Sequence, residues 1–450
     1  MASRAFLASM WTALGGPAEI IESVDFTGTG DLPSVFAVSD FAAAAVGAAG
    51  AATAELIGAR FGELPRVTVG RRLSSLWYAW SIRPDGWKMP APWDPASGDY
   101  ATADGWIRLH TNAPHHREAA LRVLGAPADK AQVAQAVSGW KSDELESAVV
   151  QSGGCAATMR SADAWAVHPQ GQTVAASPLL TVQTSDDEHD SPWTPTPDRP
   201  LQGLRVLDLT RVLAGPVATR FLAGLGANVL RIDSPTWDEP GVVPDVTLGK
   251  RCARLDLRTA QSKFRDLLRE AHVLVHGYRA DALANLGFGP EERRRIRPGL
   301  VDVCLNAYGW SGPWKNRRGF DSLVQMSAGI ADAGMRELKK DKPTPLPVQA
   351  LDHATGYLMA AAVIRGLSAN RGFEARASLA GTAQLLLSRR PPHPASDVIT
   401  ATNDADWSDQ VELTEYGPAH RLRSPVQVGK AFLHWDRPAV SLGSSPPEFT

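Results

Sequence analysis

The 450-residue sequence contains three cysteines, Cys155, Cys252 and Cys304, spaced for neither a metal site nor a disulfide framework. That scarcity points to a reducing compartment, the cytoplasm. An excess of charge is also missing: 46 Lys and Arg against 48 Asp and Glu leave a net −2. No basic field therefore points to nucleic acid or to an acidic membrane surface. No long apolar run reads as a membrane span. The richest, Phe41 to Leu56, is mostly alanine between Asp40 and Glu55, the pattern of a packed helix. The opening "RAFLASMW" is short for a secretory leader and no clear cleavage site follows, so a buried segment is expected there. The usual chemical signatures are absent too: there is no GxGxxG, no GxxxxGK[ST], no nucleophile elbow, no CxxC and no Ser–His–Asp set.

What is present suggests about two or three domains with real cores. Residues 184–200, "TSDDEHDSPWTPTPDRP", combine acidic residues with four prolines and read as a linker. After it, apolar runs alternate with amphipathic ones. Strands are expected at Arg205 to Leu209, Asn228 to Ile232, Cys252 to Leu257, His272 to His276 and Leu300 to Leu305. Helices are expected at 259–270 and 279–286, and one with Pro216 at its first position, where the missing N–H costs nothing. This alternation predicts a parallel α/β sheet with ligands beyond the carboxyl ends of its strands. In the first half, Phe41 to Ile57 is a helix, an apolar segment covers Val67 to Ile82, and "DYATADGWIRLHT" (99–111) is a hairpin around Asp104-Gly105. A weak repeat joins the halves: an Asp opens an alanine-rich helix at 39–56 and again at 351–367, and an Arg-led apolar segment follows at 66–80 and at 376–387. By composition alone, chance and duplication stand level.

Few residues can carry chemistry. Thr210 to Pro216 is a strand–helix corner carrying Arg211. It is either an ordinary Gly-Pro corner or an anion site at a helix N-terminus. Asp352 sits where a helix begins, as an N-cap or as a nucleophile that stays ionised there. Asp321 reads as the cap of a helix over Ser322 to Ile330. His115 and His116 lack the spacing of a metal pair and read as a solvated helix start, and "ERRRIR" (292–297) as a solvated helix face.

Six motifs in order then resemble a known family. They are "GLRVLDLTRVLAGPVATRFLAGLGANVLRID", "GKRCARLDLR", "VLVHGYRADALANLGFG", "LVDVCLNAYGWSGPW", "GFDSLVQMSAGI" and "LDHATGYLMAAAVIRGL". Residues 203–390 are similar to family III CoA-transferases, the CaiB/BaiF family. The resemblance implies an α/β fold: a Rossmann-like parallel sheet that binds CoA, with a second, smaller α+β domain. It implies transfer of coenzyme A from an acyl-CoA to a carboxylic acid, with CoA as substrate and no permanent cofactor or metal. Asp352 stands at the position of the family's nucleophilic aspartate. CoA contacts would fall on Arg211, Val212, Leu213 and Ala214, on Leu255 and Arg258, and on Gly277, Tyr278 and Ala282, with Arg258 supplying charge for phosphate. A homodimer is implied, its partners being small molecules rather than nucleic acid or membrane.

The chain departs from the family in four ways. Asn285 and Asn306 stand where a cation is often found, and the glycine-rich loop over the catalytic Asp is not visible. Phe320 replaces the His of the racemase "GHD" motif. The family's small domain lies in the first half, at about 99–180, not in the second. The expected arrangement is a partial repeat over 1–183, the linker 184–200 and a CoA-binding unit over 201–450. This is two complementary truncated copies, with Asp40 the vestigial counterpart of Asp352. An acyl-CoA racemase and a non-catalytic CoA-binding subunit remain as alternatives. An NAD-dependent oxidoreductase rests only on the parallel sheet and lacks the glycine fingerprint.

Overall fold

A computed structural model describes residues 2–188, 193–390 and 397–450. The second half builds a seven-stranded sheet. In spatial order its strands are Lys250–Arg254, Asn228–Asp233, Arg205–Leu209, Val273–His276, Val301–Asn306, Arg371–Ser378 and Leu180–Glu188. Every neighbouring pair is parallel except the last. Val273–His276 is buried throughout and Arg205–Leu209 nearly so, as a sheet covered on both faces requires. The strand order reverses between Arg205–Leu209 and Val273–His276, which makes that gap the topological switch point where such sheets hold ligands.

The expected strands are present with shifts of at most three residues. The third begins at Lys250 and ends at Arg254, and the helix expected over 279–286 shortens to Ala282–Asn285. Pro216 is the third helical residue, not the first, in Ala214–Gly224. It still costs no bond, because the first four N–H groups of a helix lack intrahelical partners. The expected linker needs correction. Its acidic start is the end of the Leu180–Glu188 edge strand, which pairs antiparallel with Arg371–Ser378; residues 189–192 lie outside the described residues. An edge strand is hydrogen-bonded on one side only, so polar residues and nearby prolines are tolerated.

The first half contributes more than an appendage. The hairpin Gly98–Ala101 with Trp106–Leu109 forms as expected, gains Ala156–Thr158 and packs three helices around its own small core. The opening helix Ala2–Ala13 buries Phe6, Leu7, Met10 and Trp11. The C-terminal segment then returns to the first half: Val426–Val428 pairs with Val67–Gly70, and Gly417–Leu422 with Ile82–Pro84. The main core runs continuously through both halves. "ERRRIR" is not wholly solvated. Arg293 is buried and ion-pairs with Asp302 at 2.7 Å.

At the centre, the helices Val38–Phe61 and Ala350–Ala369 pack against each other and share local features. Each is preceded by the same inverse γ-turn: Ala37 has φ −77, ψ 56 and Gln349 has φ −77, ψ 64. Each turn is closed by an i to i−2 bond of 2.8 Å, Val38 to Phe36 and Ala350 to Val348. The third residue of each helix is the aspartate, Asp40 or Asp352. Each helix ends on a left-handed residue, Gly62 or Asn370, and leads to a strand parallel to the one before it. Both helices are alanine-rich and buried all round, which allows close approach. A Cβ on Gly356 would lie 2.4 Å from the Ala214 carbonyl, so glycine there seats the Asp352 helix directly on the Thr210–Pro216 corner.

Candidate active site

The corner after Arg205–Leu209 is held from beneath by a buried network. Asp208 accepts from the Thr210 N–H at 2.9 Å and from Lys250 Nζ at 3.0 Å, and Lys250 also donates to the Pro216 carbonyl at 3.0 Å. Arg231 is buried and ion-pairs with Asp233 at 2.8 Å and with Glu239, whose other oxygen accepts the Val212 N–H at 3.0 Å. This clamp fixes Val212 at φ +65, a left-handed backbone costly for a β-branched residue. Strain of that kind concentrates at ligand sites.

A cavity of about 350 Å³ opens at the switch point. Arg211, Val212 and Ala214 line it from one side of the strand reversal, Gly277, Tyr278 and Ala282 from the other. Arg211 lies between two rings, 4.4 Å over Trp237 and 5.5 Å over Tyr278. Arg279, Lys315 and Arg318 join it at the cavity, and among the described residues no carboxylate ion-pairs any of these four. Four uncompensated cations around one opening make a seat for phosphate. Arg317, also at the wall, is committed to Glu146 at 2.9 Å and ties this loop to the small unit. Leu213 lines a second cavity next door. Leu255 packs in the core beneath the sheet, and Arg258 lies on the surface paired with its own neighbour Asp256 at 3.0 Å; neither lines these openings. Asn306 is at the wall, its amide spent on Gly309, while Asn285 ends a short helix.

Asp352 stands where the 350 Å³ cavity meets the second, of about 260 Å³. It is 7 % exposed and does not cap its helix. Asp321 does, from 31 residues away: its Oδ2 accepts the N–H of Leu351 at 2.8 Å and of Asp352 at 3.0 Å, and its Oδ1 accepts from Gln325. Asp321 thus caps the Asp352 helix rather than the one it begins, whose N-cap is Phe320. The surroundings run against the expectation that Asp352 stays ionised. Burial, and then the Asp321 charge beside it, push its carboxyl well above the usual range. Burial raises Asp321 as well, but three donors hold it below its neighbour. Burial opposes charge on both carboxyls, and the three donors favour it on Asp321 over Asp352.

His116 was also misread by sequence. It is buried, faces the cavity and has a partner on neither nitrogen; burial lowers it to about 3, so the ring is neutral. His115, beside it, is exposed. His110 stacks on Phe320 with ring centroids 3.7 Å apart. These imidazoles come from the first half and the carboxylate from the second, so both halves build one site.

Residues 201–396 match the sequence model of CoA-transferase family III. The chain is 30 % identical over 295 residues to acetyl-coenzyme A transferase nodX of Hypoxylon pulicicidum, covering 60 % of this chain and 49 % of that protein. It is 36 % identical over 191 residues to the probable fatty acyl-CoA transferase Rv3272 of Mycobacterium tuberculosis, covering 39 % and 48 %. A crystal structure of Rv3272 aligns with 43 % of this chain and 57 % of that one, at 32 % identity and a TM-score of 0.40. The chain spans about half the length of the curated relatives it matches.

Proposed function

We propose, from the match of residues 201–396 to CoA-transferase family III, that the whole chain moves coenzyme A from an acyl-CoA donor to a carboxylic acid, with Asp352 as nucleophile. The observation that supports this most is position. One buried carboxyl stands between a cation-rimmed cavity suited to the phosphates of CoA and a second cavity suited to an acyl group.

The steps balance without a cofactor. In its carboxylate form Asp352 attacks the thioester carbonyl, giving a mixed anhydride and CoA thiolate. The thiolate attacks the aspartyl carbonyl, releasing the first acid and leaving an aspartyl-CoA thioester. The acceptor carboxylate attacks that thioester, again expelling thiolate, and the thiolate takes the new acyl group and frees Asp352. Arg211, Arg279, Lys315 and Arg318 hold the phosphates throughout. Asp321 keeps the helix N-terminus, and so Asp352, in place. Both halves of one chain supply the site, and the reading extends to a homodimer of such chains in the cytoplasm.

The test is transfer between a CoA thioester and a free acid followed by mass spectrometry, with hydroxylamine added during turnover. Hydroxylamine traps an aspartyl thioester and should inactivate the protein only when donor is present. Full turnover by Asp352→Ala ends the assignment. A second reading, α-proton exchange on an acyl-CoA, is favoured by the neutral His110 ring stacked on Phe320 beside the Asp352 cavity. Deuterium uptake at the α-carbon without change of acid would select it.

A further inference from the structure

The second cavity shows which acyl groups the site can take. Its walls come from both halves: Tyr78 and Trp80, Trp93 and His110, then Phe320 and His353. Asp352 lies on its wall and is its one acidic residue. Trp93 is 37 % exposed at the mouth, and Trp80 is half-buried. No lysine or arginine lines this space. Two cations behind its walls are already paired: Arg220 lies near His353 and bonds Asp245 at 2.7 Å, and Arg108 lies over the Trp93 ring and bonds Asp99 at 2.7 Å. The lining amide of Asn112 is spent too, accepting from Asp94 and Ser97 and donating to Pro92. His110 and His353 are held neutral by burial.

We propose that this cavity makes the protein specific for acyl groups that are uncharged and apolar beyond the thioester, aliphatic or aromatic, and closed to those bearing a second carboxylate. The proposal rests on the transferase reading above. Aromatic walls reward apolar area and flat rings. A distal carboxylate held in this cavity would meet no cation on its walls, because the free cations line the neighbouring cavity where the CoA phosphates are placed, and an unpaired buried charge is strongly disfavoured. Exclusion of this kind discriminates more sharply than a lost methylene does.

Matched substrates test it. Hexanoyl-CoA and succinyl-CoA serve as donors, with hexanoate, phenylacetate and glutarate as acceptors. The apolar substrates should lead in kcat/KM by about 100-fold or more. Equal or reversed preference overturns the proposal while leaving the transferase reading standing. If no acid accepts CoA, the transferase reading fails and tryptophan fluorescence still decides this one. Hexanoyl-CoA should then bind at least about tenfold more tightly than succinyl-CoA, and equal affinity overturns the proposal. Trp80→Ala should weaken hexanoyl-CoA by about tenfold and leave free CoA unchanged. Trp80→Arg should admit succinyl-CoA; a Trp80→Arg protein that binds CoA but gains nothing for succinyl-CoA counts against the proposal.

Discussion

The Oδ2 of Asp321 accepts the backbone N–H of Asp352 at 3.0 Å, so one carboxylate caps the helix that presents another. The contact has two effects. It fixes the nucleophile's helix by satisfying two of its first N–H groups, and its charge opposes ionisation of Asp352. Removing that charge should let Asp352 lose its proton at lower pH, so the acidic limb of the kcat profile should move to lower pH in Asp321→Asn. Asp321→Ala should cost roughly 10–100-fold in kcat, through loss of a cap worth about 1–2 kcal/mol and of alignment, with little change in CoA affinity. A profile unmoved in Asp321→Asn would show that the two carboxyls do not interact.

The same burial predicts a stability gain. The folded Asp352 has a raised pKa, so its contribution is fully present below the unfolded carboxyl value, near 4, and is lost as pH rises toward the folded value. Asp352→Asn has no charge to bury. The variant should match the wild type near pH 4 and exceed it at pH 7–8 by on the order of 1–3 kcal/mol, read from thermal unfolding across that range. A variant less stable at pH 8 would show that the carboxylate is favoured in the fold.

Five strands of the sheet were legible as short runs ended by a polar corner, and their boundaries moved by at most three residues. Two were not: Arg371–Ser378, an inner strand interrupted by Glu374 and Arg376, and the edge strand. Its acidic residues at 184–188 look like a linker, and only the unpaired side of Arg371–Ser378 recruits them. The site divides similarly. Asp352 came from resemblance, but its electrostatic state depends on Asp321, distant in sequence and brought close by folding. Arg258 looked like a phosphate ligand, yet Asp256 two residues before it takes the charge. Arg279, Lys315 and Arg318 were missed because sequence does not show which cations lack a carboxylate partner. His116 left a readable trace: with Ala119 and Ala120 it forms an i, i+3, i+4 apolar face, which turns it inward and leaves His115 in solvent.

That contrast between arginines is measurable. Arg211→Ala should raise KM for the CoA thioester by about 10–100-fold, the loss of a charge-assisted contact, and should flatten its salt dependence. Arg258→Ala, removing an exposed and internally paired side chain, should change KM by less than about twofold. Equal effects would place the phosphates on the outer surface instead.

Asp40 occupies the position of Asp352 in the repeated helix but in a different setting. It accepts from the Ser3 N–H at 3.1 Å and ion-pairs with Arg71 at 3.3 Å, and Arg71 also pairs with Asp31. Asp40 is thus engaged in structure and lines neither of the cavities that meet at Asp352. Asp40→Asn should leave kcat within about twofold and cost about 1 kcal/mol in stability. A fall in turnover comparable to that of Asp352→Asn would mean that both copies of the repeat take part in the reaction.

Val212 separates strain from packing. Its φ of +65 is imposed by the Glu239 clamp, and its side chain lies on the walls of both cavities that meet at Asp352. Glycine adopts that backbone freely. Val212→Gly should relieve about 1–3 kcal/mol of strain and lose about 0.5–1 kcal/mol to added freedom of the unfolded chain, so Tm should hold or rise. Turnover should nevertheless fall by about tenfold, because the wall that separates the two cavities is gone. If Tm drops while turnover holds, Val212 serves the core, and the corner is strained for a reason other than ligand placement.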